Sequence, residues 1–191
     1  MARTLQDNES IELDDGQVLS KQQLSITALK LDSNNSYAFC TLGDTLRSDD
    51  TFELPDGVQL DKRGCFLKAI QLDANNELAY CDLADSLADS ETVQVNGEDK
   101  TAIDLYLISI KINPNFATAN NNLTCQMPKK TTVTLLDGEV VTDKELFLRS
   151  LKCDSSDPLV FQNLGVALSK GEKVTLPDGK VVAKKELQEW K

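Results

Sequence analysis

The sequence lacks histidine altogether, and aromatic residues make up only 5% of its 191 residues. Without histidine the chain cannot form a Ser-His or Cys-His nucleophile pair, nor the commonest set of zinc ligands. It also has no glycine-rich phosphate loop and no G-x-S-x-G motif. The sequence therefore predicts a protein that is not an enzyme and that binds no metal and no cofactor.

Positive charge is scarce as well, because 20 Lys and Arg residues face 31 Asp and Glu residues, for a net charge of −11. Nucleic acids and anionic membranes select clustered Lys and Arg, so the acidity argues against both as partners. No window is apolar enough to span a membrane, and the first residues contain no apolar signal segment. The five cysteines are widely spaced without a C-x-x-C pair, so we expect reduced thiols and a cytoplasmic location.

A repeat runs along the whole chain. Asp-Gly or Asn-Gly dipeptides recur every 40 or 41 residues, at 15–16, 56–57, 96–97, 137–138 and 178–179. Alternating β-forming residues flank these dipeptides and predict a short β-hairpin in each repeat. The calcium-loop alternative fails, since the acidic ligand positions around each glycine are not acidic. A period of this kind is typical of a solenoid, in which each unit buries its apolar face against its neighbours.

Two helices are predicted after each of the first four hairpins, and a single helix is predicted after the fifth. The first begins at a hydroxyl followed three residues later by an acceptor, as in a capping box, at Ser20/Gln23, Thr101/Asp104 and Thr142/Glu145. The second is predicted around 36–47, 77–88, 117–127 and 158–168, from apolar residues at helical spacing. The fold class is therefore mainly α: an α-α superhelical repeat solenoid in one domain (1–191), with about four helical pairs and a C-terminal capping helix at 183–191.

Several of these motifs resemble the tetratricopeptide repeat (TPR) family. They are the aromatic-x-x-Leu-Gly segments Phe39–Gly43 and Phe161–Gly165, the Phe66/Ala69 pair, and the turn Leu72–Asn76. The family unit has about 34 residues, so the resemblance implies that a hairpin of about seven residues is inserted between its paired helices. HEAT-like and Sel1-like helical repeats are the alternatives, and the turn sequence disfavours both. The chain departs from the family at Lys21, Lys62 and Asp143, where a small residue is usual.

The resemblance also implies a function, namely a non-catalytic scaffold that binds a peptide or a partner protein in a concave helical groove. The groove positions that it implies are Tyr37, Cys40, Thr41, Asp44, Leu78, Asp82, Asp85, Asn121, Asn122, Gln162 and Asn163. They include no Lys or Arg, so a basic or neutral partner is expected and a chaperone's C-terminal carboxylate tail is not. The aspartates could also serve only to solubilise their helices. The alternative function is a structural module that self-associates through hairpin edges or chain ends.

Overall fold

The computed structural model describes residues 10–12 and 16–189, which fall into two compact units divided between Ala88 and Asp89. The elements of unit 1 are β1 (Ser10–Glu12), β2 (Val18–Ser20), α1 (Lys21–Leu31), α2 (Ser36–Thr45), β3 (Phe52–Glu53), β4 (Gln59–Leu60), α3 (Lys62–Leu72) and α4 (Glu77–Asp85). Each helix packs against the next one along the chain, and α2 also contacts α4. Unit 1 is therefore a stack of helices preceded and interrupted by hairpins.

Unit 2 repeats the same order of elements and adds one hairpin and one helix. Its elements are β5 (Thr92–Val95), β6 (Glu98–Thr101), α5 (Ala102–Ile112), α6 (Ala117–Gln126), β7 (Thr132–Thr134), β8 (Val140–Thr142), α7 (Asp143–Cys153), α8 (Pro158–Ala167), β9 (Lys173–Thr175), β10 (Val181–Ala183) and α9 (Lys184–Gln188). Each helix again packs on the next. The predicted fold class, mainly α with a short β-hairpin in each helical repeat, is confirmed. Trp190 and Asp15, which belong to the predicted capping helix and the first turn, lie outside the described residues.

The hairpins remain separate from one another. Every described strand pairs antiparallel with its neighbour in the sequence, so the hairpins form five two-stranded sheets. Glycine at each turn has a positive φ, for example 86° at Gly57 and 90° at Gly138, a conformation that other residues resist. A lone hairpin is only marginally stable in water, so each one depends on the helices for support.

Each helix start is fixed by the local sequence. The capping boxes predicted at Ser20, Thr101 and Thr142 are all present, with the hydroxyl accepting from the backbone N–H three residues later. Asp61 caps α3 in the same way through its carboxylate. Such a cap is worth about 1 kcal/mol to a helix, so these residues set where α1, α3, α5 and α7 begin.

The core of each unit consists of the apolar stripes of its helices, to which some hairpin strands add one buried residue, such as Leu19 on β2 and Val95 on β5. In unit 1, Leu42, Phe66 and Leu83 are almost fully buried. In unit 2, alternation along the strands places Val141 and Val182 in the core and leaves Val140 and Val181 exposed. Among the residues described, none of the helices has the length and hydropathy that a bilayer crossing needs.

Two of the three positions that depart from the TPR pattern, Lys21 and Asp143, make polar contacts. The Lys21 ammonium lies 3.4 Å from an Asp44 carboxylate oxygen on α2. Asp143 is buried, and its carboxylate accepts from the backbone N–H groups of Lys130 (2.9 Å) and Lys144 (2.8 Å). A small residue is therefore not required at this corner, because long or charged side chains find partners there.

Candidate partner-binding surfaces

The predicted groove residues of unit 1 lie on two helices that touch each other. We call their solvent-accessible members the acidic face, which consists of Tyr37, Thr41 and Asp44 on α2 with Leu78, Asp82 and Asp85 on α4. Tyr37 and Asp85 are exposed, and the other four side chains are half-buried. Tyr37 donates its hydroxyl to Glu77 at 3.1 Å, which ties the start of α2 to the start of α4.

Cys40 does not belong to this accessible set. It was predicted in the groove, but its side chain is fully buried, and its Sγ lies 3.6 Å from the Asn76 Nδ2 that donates to it. The helical turn that exposes Tyr37 and Thr41 directs Cys40 towards the N-cap of α4. Burial, and then the nearby Asp82 and Asp44 carboxylates, raise the pKa of the Cys40 thiol well above its usual range. The residue is therefore a core thiol outside the accessible surface, and the raised pKa makes it a weak nucleophile.

Asp82 is the most perturbed group of the acidic face. Burial, with the Asp44 and Asp85 carboxylates adding to it, raises the pKa of Asp82 to about 8, so this side chain is mostly protonated at neutral pH. Its Oδ2 is buried and has no hydrogen-bond partner among the described residues. Asp44, which lies beside Lys21, and the exposed Asp85 carry the negative charge that a partner would meet at this surface.

The predicted residues of unit 2 form a second surface, the amide face, made of Asn121 and Asn122 on α6 with Gln162 and Asn163 on α8. Asn163 donates to the Asn121 side-chain oxygen at 3.3 Å, and Asn121 donates to the Asn122 oxygen at 3.2 Å. Asn121 is buried by these contacts, whereas Gln162 remains exposed. The structure therefore brings all four residues to two adjacent helices, with three of the amides already bonded to one another.

Sequence reasoning missed a cavity of about 360 Å³ beside the amide face. Asn163 and the exposed Val166 on α8 line it, together with the buried Phe147 on α7. Lys129, in the loop after α6, lies at its rim. The apolar spacing of α7 predicts that Phe147 is buried, but the sequence does not show which neighbouring side chains leave space beside it.

The described residues contain no group of three or more Cys, Asp or Glu side chains arranged to hold a metal ion. No protein-family model matches the chain, and no curated protein sequence matches it. Among solved structures, a crystal structure of MamA is similar, with 20% identity and a TM-score of 0.45 over 80% of this chain and 75% of that one. A second crystal structure of the MamA protein has 20% identity and a TM-score of 0.45 over 76% of this chain and 69% of that one. The repeat architecture described above is defined by the packing inside each unit.

Proposed function

We propose that this protein is a non-catalytic scaffold that binds a peptide or a partner protein through the accessible side chains of α2, α4, α6 and α8. The observation that carries the proposal is the acidic face of unit 1. There an exposed aromatic ring (Tyr37) and a half-buried Leu78 share two adjacent helices with the negative charges of Asp44 and Asp85. Apolar and charged groups combined on a preformed surface are suited to recognition.

The chemistry of this surface selects the partner. Carboxylates attract Lys and Arg side chains and repel acidic segments, so the acidic face suits a basic or neutral peptide or helix. A chaperone's carboxylate tail remains a poor candidate here. A non-catalytic role is further supported by the thiols of Cys40 and Cys81, which burial makes poor nucleophiles by raising the pKa of each one.

Peptide binding by matched variants tests the proposal. The variant Asp44→Asn/Asp85→Asn removes two charges from the acidic face, and the control Asp49→Asn/Asp89→Asn removes two exposed charges from the loops. A fluorescent basic peptide should bind the first variant about tenfold more weakly than wild type, since its cationic side chains lose their partners. The control variant should bind like wild type, and circular dichroism should show that both keep the fold.

Two results would contradict the proposal. The first is an equal loss of binding in both variants, which would mean that only net charge matters. The second is tight binding of the basic peptide by the first variant. An acidic peptide of the same length serves as the specificity control for this face, and it should bind no tighter to wild type than to the double variant.

A second candidate function is assembly through the hairpins. Val18, Val140 and Val181 occupy the same strand position in three hairpins and are 57%, 60% and 57% exposed. Both edges of every described hairpin lack a further strand, and such edges can pair with another chain. Light scattering across a range of concentrations tests this, because the variant Val18→Thr/Val140→Thr/Val181→Thr should lose any self-association that wild type shows.

We also propose that the hairpin is an insertion within a TPR-like unit. In the first repeat it lies between α2, which carries the aromatic-x-x-Leu-Gly segment, and α3, which carries Phe66 and Ala69. Gly43 supports this pairing, because an added Cβ there would lie 2.6 Å from the Phe66 ring. The two helices that the hairpin separates in sequence are thus in close contact.

A further inference from the structure

Each unit contains a cleft between a helix and the hairpin that follows its helical pair, on residues that the proposed function does not use. In unit 1 this first hairpin cleft has a volume of about 420 Å³. Ile26 and Leu29 on α1 form one wall, Phe39 on α2 forms the floor, and Phe52 and Leu54 of the hairpin form the other wall. Ile26, Phe52 and Leu54 are only half-buried, so the cleft is apolar and open to solvent.

The second hairpin cleft lies in unit 2, between α7 and the hairpin that begins with β9, and has a volume of about 400 Å³. Its residues Leu148, Lys152 and Pro177 stand three repeats after Ile26, Lys30 and Pro55 of the first cleft. The same feature thus arises independently in both units from equivalent positions of the repeat. It depends on the hairpin, which supplies one wall in each case.

One charged group at the rim of the first cleft makes no hydrogen bond or ion pair with the described residues. Glu53 at its rim already accepts a hydrogen bond from Gln59 Nε2 at 2.5 Å. Lys30 is exposed and has no hydrogen bond or ion pair with the described residues. The rim of this cleft therefore offers the ammonium group of Lys30 to a ligand, beside the Glu53 carboxylate, which keeps its negative charge.

The second cleft is lined by three charged residues, two of which make hydrogen bonds with other residues. The Arg149 guanidinium donates to Glu139 at 2.6 Å, and the Glu145 carboxylate accepts from the Thr142 backbone N–H at 2.7 Å in the capping box of α7. Lys152 is exposed and, like Lys30, has no such partner among the residues described. A lysine at one repeat position is thus the unengaged charge of both clefts.

We propose that the hairpin clefts bind a protein segment in which an aromatic or branched aliphatic side chain stands beside a carboxylate. The apolar side chain enters the cavity and removes the half-buried apolar walls from water. The carboxylate meets the ammonium group of Lys30 or Lys152 at the rim, which orients the segment. This segment differs in charge from the partner of the acidic face, so the two sites can be tested separately.

The charge of the whole chain makes the proposal easy to test. With a net charge of −11, the protein repels acidic peptides in general, so non-specific attraction cannot explain the binding of one. Binding must come from a local arrangement of lysine and apolar walls. The probe is the capped, amidated peptide Gly-Ser-Asp-Phe-Asp-Ser-Gly. One comparison peptide has Ser in place of Phe, and another has Lys in place of both Asp residues.

Titration followed by amide chemical shifts in NMR gives both the site and the affinity. The probe should shift amides near Ile26, Leu54, Leu148 and Thr175 in the wild-type protein. The variant Lys30→Glu/Lys152→Glu should bind it about tenfold more weakly, because each reversal replaces an attraction by a repulsion. The control Lys170→Glu/Lys185→Glu reverses two other exposed lysines and should bind like wild type. Neither comparison peptide should shift the amides of the two clefts as strongly as the probe does, and any binding of the lysine peptide at the acidic face is recognised by shifts on α2 and α4 instead.

Four outcomes would overturn the proposal. They are the absence of shifts in both clefts, equal weakening by the control variant, equal binding of the serine peptide, and self-association of wild type that Lys30→Glu/Lys152→Glu abolishes. The last result would make a second copy of this chain the occupant. Failure of the acidic-face experiment leaves this one unaffected, because the basic peptide and the Asp44 and Asp85 variants probe other residues.

Discussion

The acidic face of unit 1 and the amide face of unit 2 use the same repeat positions for different chemistry. Asp82 on α4 and Asn163 on α8 are equivalent, and so are their neighbours Cys40 on α2 and Asn121 on α6. Asn163 donates to Asn121, whereas Asp82 keeps a buried oxygen without a partner and has a raised pKa. The same repeat positions therefore hold either two hydrogen-bonded amides or a carboxyl group with an unpaired oxygen, depending on the side chains present.

Because of this difference, the contacts of the amide face do not depend on pH, whereas those of the acidic face depend on the protonation of Asp82. Amides do not titrate, so the contact between α6 and α8 is insensitive to pH. A carboxyl that the folded protein keeps neutral binds its proton more tightly than the same group in the unfolded chain. We therefore expect unit 1 to lose stability as the pH rises from about 4 to about 8, whereas the amide contact of unit 2 contributes no such loss.

The largest predicted effect is that of Asp82→Asn. The pKa of Asp82 rises from an ordinary value near 3.9 to about 8 on folding, so wild type loses stability as the pH rises from about 4 to about 8. The variant should lack this loss and exceed wild type by a few kcal/mol at pH 9, with little difference at pH 4. Urea unfolding at both pH values measures it.

Asp49→Asn serves as the control for that experiment, because Asp49 is an exposed loop residue. Its stability should follow wild type at every pH. If Asp82→Asn shows the same decline as wild type between pH 4 and pH 9, Asp82 is ionised in the folded protein and the contrast between the two faces disappears.

A second prediction compares helix packing in the two units. Gly43→Ala should destabilise by about 2 kcal/mol, since the new Cβ would lie 2.6 Å from the buried Phe66 ring. Gly165→Ala should destabilise less than Gly43→Ala. Its Cβ would lie 3.0 Å from Gln188 Cγ and 3.1 Å from Leu187 Cβ on the short α9, which is tight but less close than the contact at Gly43, and alanine's better helix propensity offsets up to about 1 kcal/mol. Thermal unfolding of both variants tests the difference, and equal losses would refute it.

The smallest effect is expected from Asn163→Asp, which gives unit 2 the chemistry of unit 1. The carboxylate cannot donate to Asn121, so the variant should lose about 1 kcal/mol at neutral pH. It should lose less at pH 4, where the acid is protonated and can donate. Gln162→Glu on the same helix changes an exposed side chain and should have almost no effect in the same urea titration.

The sequence was sufficient for the parts of the fold that local chemistry determines. The hydroxyl caps at Ser20, Thr101 and Thr142 lie where predicted because a cap needs only its own helix. The second helices begin where predicted but end one to three residues earlier, as at Thr45 and Asp85. No comparable residue signal marks those ends.

The side-chain environments were harder to predict, because they depend on neighbouring helices. Cys40 sits at a groove position by spacing, but Asn76 on the next helix pair covers it. In the third repeat the residue types of the N-cap position and the aromatic position are interchanged, which the sequence analysis did not detect. Phe116 stands at the N-cap position of α6, which has no side-chain cap, and Asn120 stands at the aromatic position. Asn120 is fully buried and donates to the Phe116 carbonyl at 2.9 Å.

The pairing of the strands has a consequence for how the chain folds. Every described strand finds its partner across a turn of a few residues, and within each unit every helix packs on the one that follows it. Contacts of such short sequence separation cost little loop-closure entropy and are associated with fast folding. A hairpin forms within about 1–10 μs, so each can be complete before the helices on either side have docked. A nascent chain could therefore fold one repeat at a time as it is synthesised, without waiting for its C-terminal half.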